Sequence, residues 1–320
     1  MNSQFNSNCP ICDSSTRLIK ELPSVYMERK LSSYYGKEHL EHNIIVSDYS
    51  LLSCTSCSLE FAYPLTPGTH KFYQWITSQS SYYPSHRWEW DVVVSQIKSR
   101  SSHASRLMEV GCGSGRFLEL LQSLPNLETI GLDTTDTSVK ACQEKGLNVK
   151  CGMLESFLTL SSEQDRFDYV VAFHCLEHVP DPKGLVASML SALKPTGSIF
   201  ISTPYSPMSF ETQWFDPLNY PPHHLSRWNA KAYRELGRQL GLNAKFYMPK
   251  ASNSLSRTLR ALNYSWFGPA QAKPTNRIML SALARPQALM SEWIRQLQRE
   301  KVDQQVAADT VLVEFTPIQA

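Results

Sequence analysis

From residue 105 onward, short apolar runs alternate with stretches in which apolar residues recur every three or four positions. The runs at 107–110, 129–132, 148–151, 169–173 and 198–202 have the length of buried strands, and the periodic stretches at 116–124, 137–145 and 182–193 have that of helices. A helix in each gap makes successive strands parallel, joined by right-handed crossovers with helices on both faces of one sheet. A helix at 229–240 and a strand at 244–248 continue the alternation; a helical remainder, 250–309, then precedes a last strand at 310–315. Sheets of this α/β kind take their ligands at the carboxyl ends of the strands.

The chemistry gathers at those ends. The first run, Leu107 to Val110, leads through Gly111-Cys112-Gly113-Ser114-Gly115 into the helical pattern of Phe117, Leu118, Leu120 and Leu121. Glycines at 111, 113 and 115 permit positive φ and let backbone N–H groups approach a ligand with no Cβ between. The spacing is G-x-G-x-G and an acid, Glu109, stands two places before the first glycine, which points away from a dinucleotide. Asp133 closes the second strand, where a carboxylate can accept hydrogen bonds from both hydroxyls of a ribose; capping of the helix near Thr137 is the competing role. Gly152-Met153-Leu154-Glu155 closes the third strand and offers backbone N–H groups to an adenine edge, and His174 closes the fourth.

At 320 residues with 42% hydrophobic content, the chain has room for one large domain and a smaller one. No apolar run nears the ~18 residues of a spanning helix, and Met1-Asn2-Ser3-Gln4 lacks the basic flank of a signal peptide, so a cytoplasmic location is expected. Of eight cysteines, four form two C-x-x-C pairs, Cys9-Pro10-Ile11-Cys12 and Cys54-Thr55-Ser56-Cys57. Two such knuckles close a tetrahedral four-sulfur zinc site. Substitution of one sulfur by His39 or His42 is the alternative, and redox use lacks a βαβ setting. Cys112, Cys142, Cys151 and Cys175 are expected as free thiols, and the aromatic group Tyr73, Tyr82, Tyr83, Trp88 and Trp90 as packing.

The order of Glu109-Val110-Gly111-Cys112-Gly113-Ser114-Gly115, Gly131-Leu132-Asp133, Phe167-Asp168-Tyr169-Val170-Val171, Cys175-Leu176-Glu177-His178-Val179-Pro180-Asp181-Pro182 and Leu193-Lys194-Pro195-Thr196-Gly197 resembles class I S-adenosylmethionine-dependent methyltransferases. That resemblance covers about residues 105–248. It implies a Rossmann-like, mostly parallel sheet whose last strand inserts antiparallel beside the fifth. It also implies that Glu109, Gly111, Gly113, Gly115 and Asp133 hold S-adenosylmethionine, with His174 lining the pocket and Leu154 at the adenine. Met153 stands where many members carry an acid for the adenine amine, leaving that contact to backbone. The cysteine pairs, with Cys54 to Pro64 reading C-x-x-C-x-L-x-F-x-x-P, further resemble bacterial methyltransferases with an amino-terminal zinc domain, some of which act on nucleotide-linked deoxysugars.

The expected organisation is a zinc-binding domain at 1–66, an aromatic helical segment at 67–104, a methyltransferase domain at 105–250 plus 310–317, and a helical insertion at 251–309. Between 250 and 301 nine basic residues face two acidic ones, although the whole chain carries only +2. This insertion is read as a cover packed on the domain, with a phosphate-bearing acceptor or attachment to a membrane surface as the other readings. Thr203-Pro204-Tyr205 has the look of an amine-methylating motif but follows the fifth strand instead of the fourth, so nucleobase amines lose support. Two prolines, Pro221 and Pro222, are expected to hold the approach to His223 and His224 extended. His224, with His223 second, is the expected general base, because an unperturbed imidazole can accept a proton near neutral pH. Tyr82 and Tyr205 are next in line, and His178 is expected to pack or cap. The function expected is methyl transfer to oxygen or carbon of a small molecule, such as a sugar nucleotide or secondary-metabolite intermediate. Its rivals are an RNA methyltransferase with a zinc module, although nucleic acid is not the expected partner, and a non-catalytic cofactor-binding scaffold.

Overall fold

The computed structural model describes residues 7–35, 44, 46–79, 82–100, 104–159, 166–249, 253–268 and 273–318. His39 and His42 lie outside the described residues. In chain order the strands are β1 (Thr16–Leu22), β2 (Tyr49–Cys54), β3 (Glu60–Tyr63), β4 (Ser105–Val110), β5 (Leu127–Asp133), β6 (Val149–Cys151), β7 (Phe167–Phe173), β8 (Leu193–Pro204), β9 (Ser226–Arg227), β10 (Leu242–Tyr247), β11 (Lys301–Val302), β12 (Gln305–Val306) and β13 (Thr310–Pro317). Seven of them form one sheet in the order β10-β13-β8-β7-β4-β5-β6. All neighbours from β8 to β6 are parallel, as the strand–helix alternation predicts, whereas β13 runs antiparallel to both β8 and β10, its place beside β8 being the one the methyltransferase resemblance implies.

Central strands buried on both faces explain the unbroken apolar runs: Val170, Val171 and Ala172 of β7 and Ile199, Phe200 and Ile201 of β8 are all fully buried. The chain leaves β4 for β5 and β6 on one side, then returns for β7 and β8 on the other. A crevice therefore opens between the carboxyl ends of β4 and β7, directly after the glycine loop.

A second sheet, β1-β2-β3-β9, carries the cysteine pairs. Its last strand comes from the loop that bears the two histidines: Glu60 pairs with Arg227 and Phe61 with Ser226. Cys54, Leu59 and Phe61 pack in the same core as Tyr205, Trp228 and the residues of β7 and β8. The histidine loop does not approach extended, as the two prolines suggested. It turns, with the N–H groups of His223 and His224 both donating to the Tyr220 carbonyl at 3.2 and 3.1 Å.

Helices at Ser254–Phe267, Thr275–Leu283 and Pro286–Leu297 form the carboxy-terminal insertion, with a small core of Leu259, Leu262, Ile278 and Ala282. The expected helical remainder ends instead in the hairpin β11–β12, turned by Asp303 and Gln304 at φ 47° and 69°. The basic face is divided: Lys273, Arg277, Arg285 and Lys301 stay exposed, while four arginines are held by partners. Arg257 is buried against Gln296, Arg260 and Arg299 pair with Asp309, and Arg295 pairs with Glu292. Among the described residues no helix is long and apolar enough to cross a membrane.

Candidate active site

A cavity of about 890 Å³ occupies the crevice at the carboxyl ends of β4, β5 and β7. Glu109, Gly111, Gly113, Asp133, Leu154, His174, His223 and His224 all line it. Gly115 does not. It ends the loop at φ 73°, and an added Cβ there would meet Leu147 and Cys142 at 2.6 and 2.7 Å, so packing is what requires a glycine. No described residue of the 251–309 insertion lines the cavity, nor does Tyr205, whose hydroxyl donates to Glu300 away from it. Tyr82 and Tyr83, expected as packing, are cavity wall.

At one end the carboxylate of Asp133 organises the glycine loop. Its two oxygens accept from the Gly113 and Thr135 backbone N–H groups, each at 2.8 Å. Each oxygen keeps a further lone pair for a ligand hydroxyl. Glu109 on β4 is buried, and its Oε2 has no hydrogen-bond partner. Burial first, and Asp133 second, push its carboxyl well above the ordinary range. An orphaned acid beside a glycine loop suits a ligand that brings a cationic or donor group, as the methionine end of S-adenosylmethionine does. Arg87 and Arg116 are the lysine or arginine residues in the wall among the described residues. A Cβ on Gly113, at φ 51°, would meet the Tyr83 ring at 2.8 Å, so that ring covers the loop.

His174 links the two ends. It sits at φ 49°, a conformation rare outside glycine, with Nε2 3.2 Å from Glu89 and Nδ1 3.4 Å from Glu177. Burial alone would lower its pKa, but the Glu177 and Glu89 carboxylates outweigh it and leave the imidazole above its usual value. Glu177 is itself only 1% exposed and neither carboxylate oxygen has a hydrogen bond; the His174 contact is one of charge. Burial raises the Glu177 carboxyl, yet His174 and His178 bring it below its usual pKa, so it is ionised.

At the other end stand three imidazoles. His223 Nδ1 faces the Leu218 carbonyl at 2.9 Å, His224 Nδ1 faces Asn219 Oδ1 at 3.2 Å, and His178 Nδ1 faces the His223 carbonyl at 2.6 Å. Their ring centroids lie 4.6 to 4.9 Å apart. The Tyr82 hydroxyl approaches His223 Nε2 at 3.3 Å, and His224 Nε2 lies 4.0 Å from Glu177. Burial, with the neighbouring histidines, pushes His223 and His224 well below the usual imidazole range. The Glu177 carboxylate stands beside His224 without a hydrogen bond to it. His178, expected to pack, joins the cluster, while Glu177 was visible only as part of a motif. Glu89 comes from the helix Trp88–Arg100, and no spacing in the sequence marks it as a partner of His174.

The four cysteines of the two knuckles also converge. Their sulfurs all lie within 4.8 Å, with Cys9 to Cys57 at 3.6 Å and Cys12 to Cys54 at 3.5 Å. A tetrahedral zinc with Zn–S of ~2.3 Å has sulfur–sulfur edges of ~3.8 Å, so this donor set fits that ion.

The sheet order, the glycine loop and the acids at the ends of β4 and β5 define a class I methyltransferase domain. Residues 87–245 match the model of the methyltransferase-domain family, and this part of the chain belongs to the S-adenosylmethionine-dependent class I methyltransferases. Similar relatives include two ubiquinone biosynthesis O-methyltransferases. That of Methylococcus capsulatus is 34% identical over 112 residues, 33% of this chain and 47% of the relative. That of Idiomarina loihiensis is 36% identical over 105 residues, 31% of this chain and 42% of the relative. The chain thus spans about half the length of these relatives. Among solved structures, a SAM-dependent methyltransferase from Archaeoglobus fulgidus overlays 71% of this chain and 93% of its own, with 17% identity and a TM-score of 0.43.

Proposed function

We propose that the protein transfers a methyl group from S-adenosylmethionine to a hydroxyl of a small-molecule acceptor. One observation carries this reading: the Gly113–Asp133 cradle with the orphaned Glu109, and the histidine cluster, open into a single cavity. Asp133 would take the ribose hydroxyls, Glu109 the methionine end, and the backbone at Leu154 the adenine. When bound, S-adenosylmethionine supplies a sulfonium methyl that passes to the acceptor while sulfur keeps the bonding pair and leaves as a thioether. The chain's own work is to hold the acceptor in line, exclude water and receive its proton. We assign the last task to His224 on its position, since burial first, and the neighbouring histidines second, hold its imidazole well below the unperturbed value expected from sequence. Its Nδ1–H is occupied by Asn219, its Nε2 lone pair has no hydrogen bond, and the Glu177 carboxylate 4.0 Å away favours the imidazolium once formed. Oxygen is preferred to carbon as the acceptor atom because the two relatives named above are O-methyltransferases. We assign zinc to the four cysteines as a structural ion, since four thiolates leave no open position.

The test is incubation of the pure chain with methyl-labelled S-adenosylmethionine and panels of phenols, catechols, sugar nucleotides and RNA. Label in a small hydroxylated product is the expected result. Label in RNA, or no binding of S-adenosylhomocysteine by calorimetry, would overturn the reading.

A further inference from the structure

We infer that His178, His223 and His224 form a binding site for a divalent transition-metal cation in the acceptor end of the cavity, separate from the four-cysteine site. One ring nitrogen of each lies within 4.8 Å of the others. Each Nδ1 faces an oxygen that can only accept: the carbonyls of His223 and Leu218 at 2.6 and 2.9 Å, and Asn219 Oδ1 at 3.2 Å. Those contacts fix the proton on Nδ1 and make Nε2 the lone-pair nitrogen of each ring; that of His223 accepts from the Tyr82 hydroxyl at 3.3 Å, a bond a metal would displace. Ligating histidines are held in this way, with the second ring nitrogen donating to a carbonyl or carboxylate that sets the tautomer.

A second observation points to a positively charged guest. Glu177, 1% exposed and lining the same cavity, has no hydrogen bond at either carboxylate oxygen: Oε1 lies 3.4 Å from His174 Nδ1 and 4.0 Å from His224 Nε2, and Oε2 has no partner. A buried negative charge with unfilled acceptors is expensive unless a cation or donor completes it. Three imidazoles select zinc, iron, cobalt, nickel or copper over magnesium or calcium, which prefer oxygen. Three protein ligands also leave positions open toward the cavity, the arrangement of a metal that meets substrate.

The role of this cation rests on the methyl-transfer reading and deepens it. A Lewis acid at the three nitrogens would lower the pKa of an acceptor hydroxyl, most of all one flanked by a second oxygen that can also coordinate. In the loaded enzyme His224 is a ligand, the hydroxyl proton passes to the Glu177 carboxylate that lines the same cavity, and the proton-acceptor role assigned to His224 above applies to the metal-free chain. Acceptors with vicinal oxygens, catechols or α-hydroxy ketones, are the class such a site would favour.

Metal content of the tag-free full-length chain, loaded with zinc or cobalt and then desalted, tests the site without reference to activity. About two equivalents per chain are expected, of which His178→Ala removes about one and Cys54→Ser about one. In the cobalt form, the band lost in His178→Ala should be weak ligand-field absorption, and the one lost in Cys54→Ser an intense thiolate charge-transfer band. A content of about one that vanishes in Cys54→Ser, or an unchanged content in His178→Ala, would overturn the inference. The half-buried His178 keeps the risk of misfolding low; if His178→Ala fails to fold, His178→Asn is measured in its place. Calorimetry with S-adenosylhomocysteine on the same samples reports separately on the methyltransferase reading, so either proposal can fail alone.

Discussion

Removing the Asp133 carboxylate is the sharpest probe of the cofactor end. In the structure each of its oxygens spends one lone pair on the loop, on Gly113 N–H and Thr135 N–H at 2.8 Å, and keeps another directed to a ligand. A hydrogen bond to a charged group is worth ~1.5–3 kcal/mol net, so losing two to ribose hydroxyls costs ~3–6 kcal/mol. This corresponds to ~10²–10⁴-fold in dissociation constant. The loop also loses the acceptor that holds Gly113 in place, which adds to the loss. Asp133→Ala should therefore weaken S-adenosylhomocysteine by at least ~10²-fold, and Asp133→Asn, which keeps one acceptor oxygen, should fall between it and the parent. Titration calorimetry reads the affinity and a thermal midpoint checks the fold. A folded Asp133→Ala protein that binds within about threefold of the parent would refute the assignment of this acid to the cofactor.

His224→Ala should lower turnover by ~10²-fold or more with S-adenosylhomocysteine affinity unchanged; parental turnover on the true acceptor would make the residue structural. Cys54→Ser should lose the structural ion and with it much of the protein's stability, read as a fall in thermal midpoint together with metal content; a metal-free chain of parental stability would sink the zinc assignment. Asp216 lines the cavity half-buried, and burial raises its pKa to about 6 against the pull of its hydrogen bond from Leu218 N–H. Because the folded pKa lies above the unfolded ~3.9, the native state binds more protons between the two values, and stability falls as pH rises through that window. Asp216→Asn, which keeps an acceptor for Leu218, should be more stable than the parent by on the order of 2 kcal/mol above pH ~6, and equal to it below pH ~4. Urea unfolding at both ends of the range decides it, and an identical difference at both would exclude titration of Asp216 as the cause.

The large sheet was legible because its central strands are buried on both faces, which leaves short unbroken apolar runs, and because helix-period stretches separate them. The glycine loop and Asp133 were legible for a related reason: a short-range turn records its backbone needs in adjacent residues. The histidine end was only half legible. His223 and His224 stand out, but Glu177 reaches them because the Leu225 N–H donates to the Glu177 carbonyl at 2.7 Å, and Glu89 reaches His174 from 85 residues upstream. Such partners depend on long-range packing that no local pattern encodes. The pairing of Arg257, Arg260 and Arg299 escaped for the same reason, since Gln296 and Asp309 absorb arginines that a helical projection leaves in solvent.

The cysteine site and the histidine loop belong to one mechanical unit. Cys54 and Cys57 close a knuckle whose Ser58, at φ 61°, offers its carbonyl to the Asn229 side chain at 2.7 Å. Asn229 in turn caps the helix Ala230–Leu240 through the Ala232 N–H at 3.0 Å. Two residues further along the knuckle strand, Glu60 and Phe61 pair with Arg227 and Ser226, and Ala62 N–H donates to the Leu225 carbonyl at 2.8 Å. The residues after His224 are thus stitched to the strand leaving the second knuckle, and the residue before β9 is tied to Glu177. The buried Arg227 guanidinium, paired with Glu60 and Glu211, pins the same join from the side. A four-sulfur ion here would fix more than an amino-terminal fold. By holding β3 against β9 it would fix the height at which three imidazoles enter the cavity, and methyl transfer depends on placing the acceptor to within a fraction of an ångström.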